Sequence, residues 1–183
     1  PHDMKRRIAV LGSTGSVGVQ ALALIADRRD LFEVVALSAR RSVDALRAQC
    51  LSFAPSAVCL TEGDARPAAL PASAAWFQGA DGILAALEHA RPDLVINAIT
   101  GAAGLPASAC TLPRGIDLAL ANKESLVVAG EYLTALARET GARILPVADY
   151  FDALTSDRPY PRAMDHDAAL APLGQEAGKA LDP

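Results

Sequence analysis

Apolar positions along this chain follow two alternating periods. Ile8 to Leu11, Phe32 to Leu37, Ala57 to Leu60, Leu94 to Ile99, Ile116 to Ala121 and Ala142 to Val147 are short, mostly apolar runs, the fourth interrupted by Asn97. Each predicts a strand. Between them, Val17 to Ala26, Val43 to Phe53, Gly82 to Ala90 and Ser125 to Thr140 carry apolar residues at helical spacing. Ser42 or Asp44 is placed to cap the second of these helices and Asp81 the third, while Pro92 and Asp93 break the pattern and Gly141 stops the last helix. Pro106 opens a further helix at a tolerated position. The stretch from Thr61 to Ala80 is rich in Pro, Gly and Ala and accommodates a short helix and an edge strand around Trp76.

Strand and helix signals alternate from Arg7 to Val147. Such alternation predicts an α/β fold: a doubly wound, Rossmann-like parallel sheet with helices on both faces. From Asp149 to Pro183 no strand signal continues. Asp149 to Thr155 reads as a helical turn, Ser156 to Pro161 as a loop, and Asp165 to Ala177 as a short amphipathic helix. The expected division is a nucleotide-binding domain over 5–147 and a short, mainly helical or disordered tail over 148–183.

In a doubly wound sheet, functional groups lie beyond the carboxyl ends of the strands. Three polar or glycine-rich segments fall there. Gly12, Gly15 and Gly18 follow the first strand at every third position and precede a helix. That arrangement aims backbone N–H groups and a helix dipole at an anion, and lets a pyrophosphate approach without a Cβ in the way. The spacing is not the commoner G-x-G-x-x-G, and a plain Gly/Ser turn would also satisfy it. The second strand ends Leu37-Ser38-Ala39-Arg40-Arg41-Ser42. Two arginines and a serine suit a 2′-phosphate, and no acid stands at that strand end to grip ribose hydroxyls, so NADP(H) is expected over NAD. A solvated basic loop is the alternative. The third segment, Asn122-Lys123-Glu124, follows an apolar strand. It reads either as a surface pair or as a polar floor, with Lys123 neutralising a substrate oxygen and Asn122 holding an amide or ribose hydroxyl.

Composition narrows the partners. A length of 183 residues holds one full domain and a tail but is short for two, and 51% hydrophobic residues suit a soluble protein. A net charge of -4 argues against a general nucleic-acid binder. Cys50, Cys59 and Cys110 sit in apolar surroundings without metal-ligand spacing and are expected to be buried, reduced thiols. No signal core and no run of about 18 apolar residues is visible, so a cytoplasmic location without a membrane partner is expected. A chain opening on Pro is expected to be a fragment or a processed product.

GSTGSVG, INAITGAAG, LALANKESLVVAG and ILPV, in this order and spacing, resemble the NADPH-binding domain of the 1-deoxy-D-xylulose 5-phosphate reductoisomerase family. The resemblance covers about Lys5 to Val147, and ANKESLV is its most specific motif. It implies NADPH, a divalent metal (magnesium or manganese), a sugar phosphate substrate and a homodimer. The family converts 1-deoxy-D-xylulose 5-phosphate to 2-C-methyl-D-erythritol 4-phosphate in non-mevalonate isoprenoid synthesis. By resemblance, Thr14, Gly15, Ser16 and Val17 cradle the NADPH phosphates. Arg40, Arg41 and Ser42 lie at the 2′-phosphate, although the family often has Gly where Arg40 stands. Asn122 and Glu124 line the cofactor, and Lys123 touches the substrate.

The resemblance departs after Val147. The family continues with Asp-Ser-Glu-His, whose two carboxylates bind the metal, whereas here Ala148 and Tyr150 stand at the acidic positions. VADYFDALTSDRPYPRAM, DHDAAL and AGKALDP instead resemble the C-terminal part of HD-GYP domains, which hydrolyse cyclic di-GMP. In that family Asp149 would be a metal ligand and Arg158 and Arg162 phosphate contacts. Its histidine partners lie upstream, where this chain has the nucleotide-binding sequence, and His2, His89 and His166 form no ligand pattern. Asp149 is therefore a lone metal candidate, and no catalytic set is complete. The chain reads as two incomplete pieces joined near 146–148, by fusion or by an artefact of recombination, assembly or gene calling. It is expected to bind NADPH without completing the reaction. A non-catalytic nucleotide-binding module is the alternative.

Overall fold

The computed structural model describes residues 5–63, 73–121 and 123–147. The tail over 148–183, with its expected helices, lies outside the described residues, as does part of the Thr61 to Ala80 stretch. The order of elements is β1 (Arg6–Leu11), α1 (Ser16–Asp27), β2 (Phe32–Ala39), α2 (Val43–Phe53), β3 (Ala57–Leu60), β4 (Ala75–Gln78), α3 (Ala80–Ala90), β5 (Leu94–Asn97), α4 (Leu105–Thr111), β6 (Asp117–Leu120), α5 (Lys123–Thr140) and β7 (Ile144–Pro146). Short 3-10 turns flank α4 at Gly101–Gly104 and Leu112–Arg114.

The strands form one seven-stranded sheet in the order β4-β3-β2-β1-β5-β6-β7, with every pair parallel. This is the expected doubly wound, Rossmann-like α/β fold. The continuous apolar runs arise because successive side chains enter different cores. Ile8 and Val10 pack with Leu22 and Ile25 of α1 and Leu46 of α2. On the opposite face of the sheet, Ala9 and Leu11 pack in one cluster with Ile83 and Leu87 of α3, Leu118 of β6 and Leu133 of α5. Alternation of direction persists along each strand, but both directions lead to apolar neighbours.

One irregularity matters for the site. Ile8 pairs with Val34 but Ala9 pairs with Ala36, leaving Val35 as an extra residue in β2. The shifted register brings Leu11 opposite Ser38. Ser38 thus lies beside the turn that follows β1.

Several expected boundaries move. β5 ends at Asn97 because that side chain turns inward to bond the following loop. β6 ends at Leu120, and α5 begins at Lys123 rather than Ser125, so Lys123 and Glu124 start a helix instead of closing a strand. α5 is not continuous: Ala129 (φ -137°, ψ 20°) breaks it beside Gly130, a residue that holds helical geometry weakly. Ser42 occupies the N-cap of α2 without a side-chain cap bond, and Gly79, not Asp81, caps α3. Asp81 lies in the first turn of α3, where a negative charge complements the dipole.

Candidate functional site

β1 has β2 on one side and β5 on the other, the point at which the order of winding reverses. The crevice at the carboxyl end of such a pair is where doubly wound sheets bind ligands. Here it is framed by the turn after β1 and the turn after β5. Gly12 has φ +70°, and a Cβ on it would lie 2.9 Å from the Ala98 carbonyl oxygen, so β1 and β5 can close together only over glycine. Gly18 is tighter still: its Cβ would fall 2.4 Å from the Gly12 carbonyl oxygen. Gly15 differs, because the nearest atom to its Cβ would be 3.4 Å away and the residue is exposed. Two of the glycines therefore serve the protein's own packing, and the third keeps the outer surface of the turn clear.

The turn is braced from beneath. Gly12 N–H donates to Ser38 Oγ (3.1 Å), and Ser13 N–H to the Ser38 carbonyl (2.8 Å). Ser13 is fully buried; its hydroxyl donates to Gln49 Oε1 (2.6 Å), while Gln49 Nε2 donates to the Ser13 carbonyl (2.8 Å). Above these braces, Gly15 is the N-cap of α1, and neither a side-chain cap nor an acidic residue occupies the first turn. Val19 N–H makes a bond to the Gly15 carbonyl (2.9 Å). The N–H groups of Ser16 and Val17 precede it and have no acceptor within the helix, the condition for anion binding at a helix start. Thr14 and Val17 are half-buried beside them, and Ser16 is exposed.

Arg40, Arg41 and Ser42 follow β2 and are all exposed. Sequence alone leaves this loop without an acid, but the structure brings one in. Arg40 Nε donates to Glu62 Oε1 and Arg41 Nε to Glu62 Oε2. These hydrogen bonds, from Arg40 first and then Arg41, hold the Glu62 carboxyl below its usual range. The parallel pairing of β2 with β3 puts the residues just past both strand ends side by side, a neighbourhood that the sequence alone does not show.

The turn after β5 is organised by Asn97, which is fully buried. Its Nδ2 donates to the Gly104 carbonyl (2.8 Å) and Ser108 Oγ (2.9 Å), and its Oδ1 accepts from Ile99 N–H (3.2 Å). Asn97 is thus committed to the protein. An isolated polar residue closing an apolar run was the only trace of this role in the sequence.

Lys123 and Glu124 open α5, in the loop–helix segment after β6. Asn122 and Asp149 lie outside the described residues. Among the described residues, no group of three His, Cys, Asp or Glu is placed to hold a metal ion, and no helix is long and apolar enough to cross a membrane. The cysteines are free: Cys50 and Cys59 are buried, with burial pushing their thiols up to about 11 and about 12, whereas Cys110 is only half-buried beside Arg114. A groove of about 660 Å³ lies at the opposite, amino end of the sheet, between Arg91, Arg114 and the ion-paired Asp117. It is separate from the glycine turns.

Comparison with known proteins agrees with this geometry. A family model described as 1-deoxy-D-xylulose 5-phosphate reductoisomerase matches residues 8–130, and an HD domain model matches residues 134–183. The second match overlaps α5 and β7, which pack and pair within the sheet. The reductoisomerase of Symbiobacterium thermophilum is 41% identical over 159 residues, covering 82% of this chain and 41% of the relative. That of Phocaeicola vulgatus is 39% identical over 155 residues, with the same coverage. The chain therefore spans about two fifths of the length of the curated relatives it matches. Among solved structures, the reductoisomerase of Zymomonas mobilis in complex with NADPH superposes with a TM-score of 0.71 at 34% identity, over 86% of this chain and 42% of that one. A reductoisomerase in complex with NADPH, fosmidomycin and magnesium gives 0.72 at 29% identity, over 94% and 43%. A hyperthermophilic archaeal homoserine dehydrogenase, at 21% identity and a TM-score of 0.55, shares the fold.

Proposed function

The chain belongs to the 1-deoxy-D-xylulose 5-phosphate reductoisomerase family, and from that premise we propose that residues 5–147 form the NADPH-binding part of such an enzyme. The observation that carries this reading is the combination of an uncapped α1 N-terminus behind Gly12 and Gly18 with two arginines beyond β2. Thr14, Gly15, Ser16 and Val17 would cradle the pyrophosphate, with the N–H groups of Ser16 and Val17 as donors, while the Gly15 N–H stays on the Gly12 carbonyl (3.0 Å) and shapes the turn. Arg40, Arg41 and Ser42 would hold the 2′-phosphate, a dianion that guanidinium groups match in charge and shape. Asn122 and Glu124 would line the nicotinamide side, and Lys123 would meet an oxygen of the sugar phosphate. When bound, the nicotinamide supplies hydride; this chain's residues bind and orient it.

Metal chemistry is a different matter for this chain. Ala148 and Tyr150 stand where the family resemblance calls for acids, leaving Asp149 alone, and one carboxylate is too few ligands for a catalytic divalent ion. We propose that the chain binds NADPH but does not convert the sugar phosphate, and that a homodimer is its assembly by analogy with the family. The HD domain match supports a second reading for 148–183, as a remnant of an HD-GYP phosphodiesterase that lacks its histidine ligands. On that reading the whole is a chimeric, non-catalytic nucleotide-binding module.

Titrating the purified chain with NADPH and NADH tests the proposal. NADPH should bind roughly tenfold or more tightly than NADH, the scale of a well-held charged group, and replacing Arg40 and Arg41 together with Ala should remove that preference. Absence of NADPH binding would sink the reading. Turnover of 1-deoxy-D-xylulose 5-phosphate with NADPH and magnesium or manganese would overturn the proposed inactivity, and hydrolysis of cyclic di-GMP would overturn the remnant reading of the tail.

A further inference from the structure

We infer that Glu62 is a positioning residue for 2′-phosphate recognition: it holds Arg40 and Arg41 by their Nε atoms so that the terminal nitrogens of both guanidinium groups are presented to the phosphate. The inference rests on the NADPH reading above. It begins with the arginines themselves. Their side chains are each 72% exposed, adjacent in sequence and of like charge. Left alone, two such groups repel one another and sample many rotamers, and a ligand would have to order both.

Glu62 removes both problems. Its carboxylate gives one oxygen to each arginine, Oε1 to Arg40 and Oε2 to Arg41. It is itself fixed by the backbone, because Glu62 N–H donates to the Arg40 carbonyl (2.9 Å) and Thr61 N–H to the Ala39 carbonyl (3.0 Å). The loops after β2 and β3 are thereby tied together at the point where the three side chains meet. The carboxyl is ionised at neutral pH, and hydrogen bonds from Arg40 and then Arg41 hold its pKa lower still.

The nitrogen that is used matters. A guanidinium offers a side edge that includes Nε and an end formed by its two terminal nitrogens. Both arginines spend Nε on Glu62, and among the described residues neither terminal pair has a partner. Two guanidinium groups against one carboxylate leave a net positive charge at the end of β2, where a phosphate dianion would be held by paired N–H donors. A carboxylate that merely occupied the phosphate's place would have the opposite effect, weakening phosphate binding by competition. The two roles therefore predict opposite signs.

Calorimetric titration of the full chain with 2′,5′-ADP and 5′-AMP separates them, since the pair differs only in the 2′-phosphate. For the unmodified chain, 2′,5′-ADP should bind more tightly; without that preference the NADPH reading and this inference both fail. Glu62→Ala should weaken 2′,5′-ADP roughly tenfold, as expected for losing the order of a charged contact, with 5′-AMP affected far less. Glu62→Gln keeps one acceptor oxygen and should recover part of the loss. A preserved preference in the parent chain, combined with unchanged or tighter 2′,5′-ADP binding in Glu62→Ala, would overturn the role of Glu62 and leave the NADPH reading standing. Thermal melting of each variant without ligand confirms that the fold is intact.

Discussion

The two glycine-rich turns at the crevice look alike in sequence and are built on opposite principles. The turn after β1 is braced by residues far along the chain: Ser38 is 26 positions from Gly12, and Gln49 is 36 from Ser13. The turn after β5 is braced locally, with Asn97 bonding residues 2, 7 and 11 positions ahead. The braces of the first turn take polar groups at its base and leave the N–H groups of the helix start facing outward. Those of the second turn draw its own backbone and Ser108 inward around one amide. The first is therefore equipped to receive an external anion, and the second to keep the neighbouring wall of the crevice in shape.

The difference should appear most strongly in the glycines. Gly18→Ala would set a methyl group 2.4 Å from the Gly12 carbonyl oxygen and 2.6 Å from Ser13 Cα, both backbone atoms that cannot step aside. A loss of about 3 kcal/mol or more, or failure to fold, is expected by chemical denaturation. Gly104→Ala meets the Ile99 carbonyl oxygen at 3.1 Å and the Asn97 amide at 3.2 Å, contacts that small shifts relieve, and should cost about 1 kcal/mol. Equal losses from the two substitutions would erase the distinction between the turns.

The braces give the next effect in size. Asn97→Ala removes three hydrogen bonds from a fully buried side chain and strands the groups it served, at a cost of about 2–3 kcal/mol. Gln49 is half-buried, so water can replace part of what Gln49→Ala removes, and about 1 kcal/mol is expected. The ligand effects should run the other way. Gln49→Ala loosens the anion turn and should weaken NADPH more than Asn97→Ala does, once both are measured well below their melting temperatures. The reverse order would mean that the second turn, not the first, governs the cofactor.

This contrast also explains what could be read before folding was known. The strands were legible because burial on both faces writes itself as unbroken apolar runs, and even edge strand β4 was marked by Trp76. The anion turn was legible because glycine spacing records close approach directly. Its braces were not. Ser38 is an ordinary polar residue near a strand end, and Gln49 sits in a helix between exposed Ala48 and buried Cys50, with nothing in that pattern to mark it. Their roles depend on the β2 bulge, which sets Ser38 against Leu11, and on how α2 packs. Glu62 was hidden for the same reason: its meeting with the arginines depends on sheet pairing across 22 and 21 positions.

The amino end of the sheet supplies the last test, because its ion pairs tie β1, which carries the first turn, to β6 and the start of β7 on the side of the second. Asp117, at the start of β6, accepts from Arg6 of β1 and from Arg143 just before β7, including Arg143 N–H (2.9 Å) and Nη2 (2.6 Å). Burial pushes its pKa up, but hydrogen bonds from Arg143 and the charges of Arg143 and Arg6 outweigh burial, so it lies below the usual aspartate range. A carboxyl whose folded pKa is depressed contributes stability that is complete above its unfolded pKa and is lost as pH falls through the folded value. Asp117→Asn should therefore cost on the order of 1 kcal/mol at neutral pH, and the gap from the parent protein should close progressively below about pH 4. Hydrogen exchange should locate the loss in β6 and β7, on the side of the second turn, while amides of β2 and the Ser13 turn keep their protection. An equal loss of protection on both sides would show that the far-reaching braces of the anion turn depend on this ion pair as well.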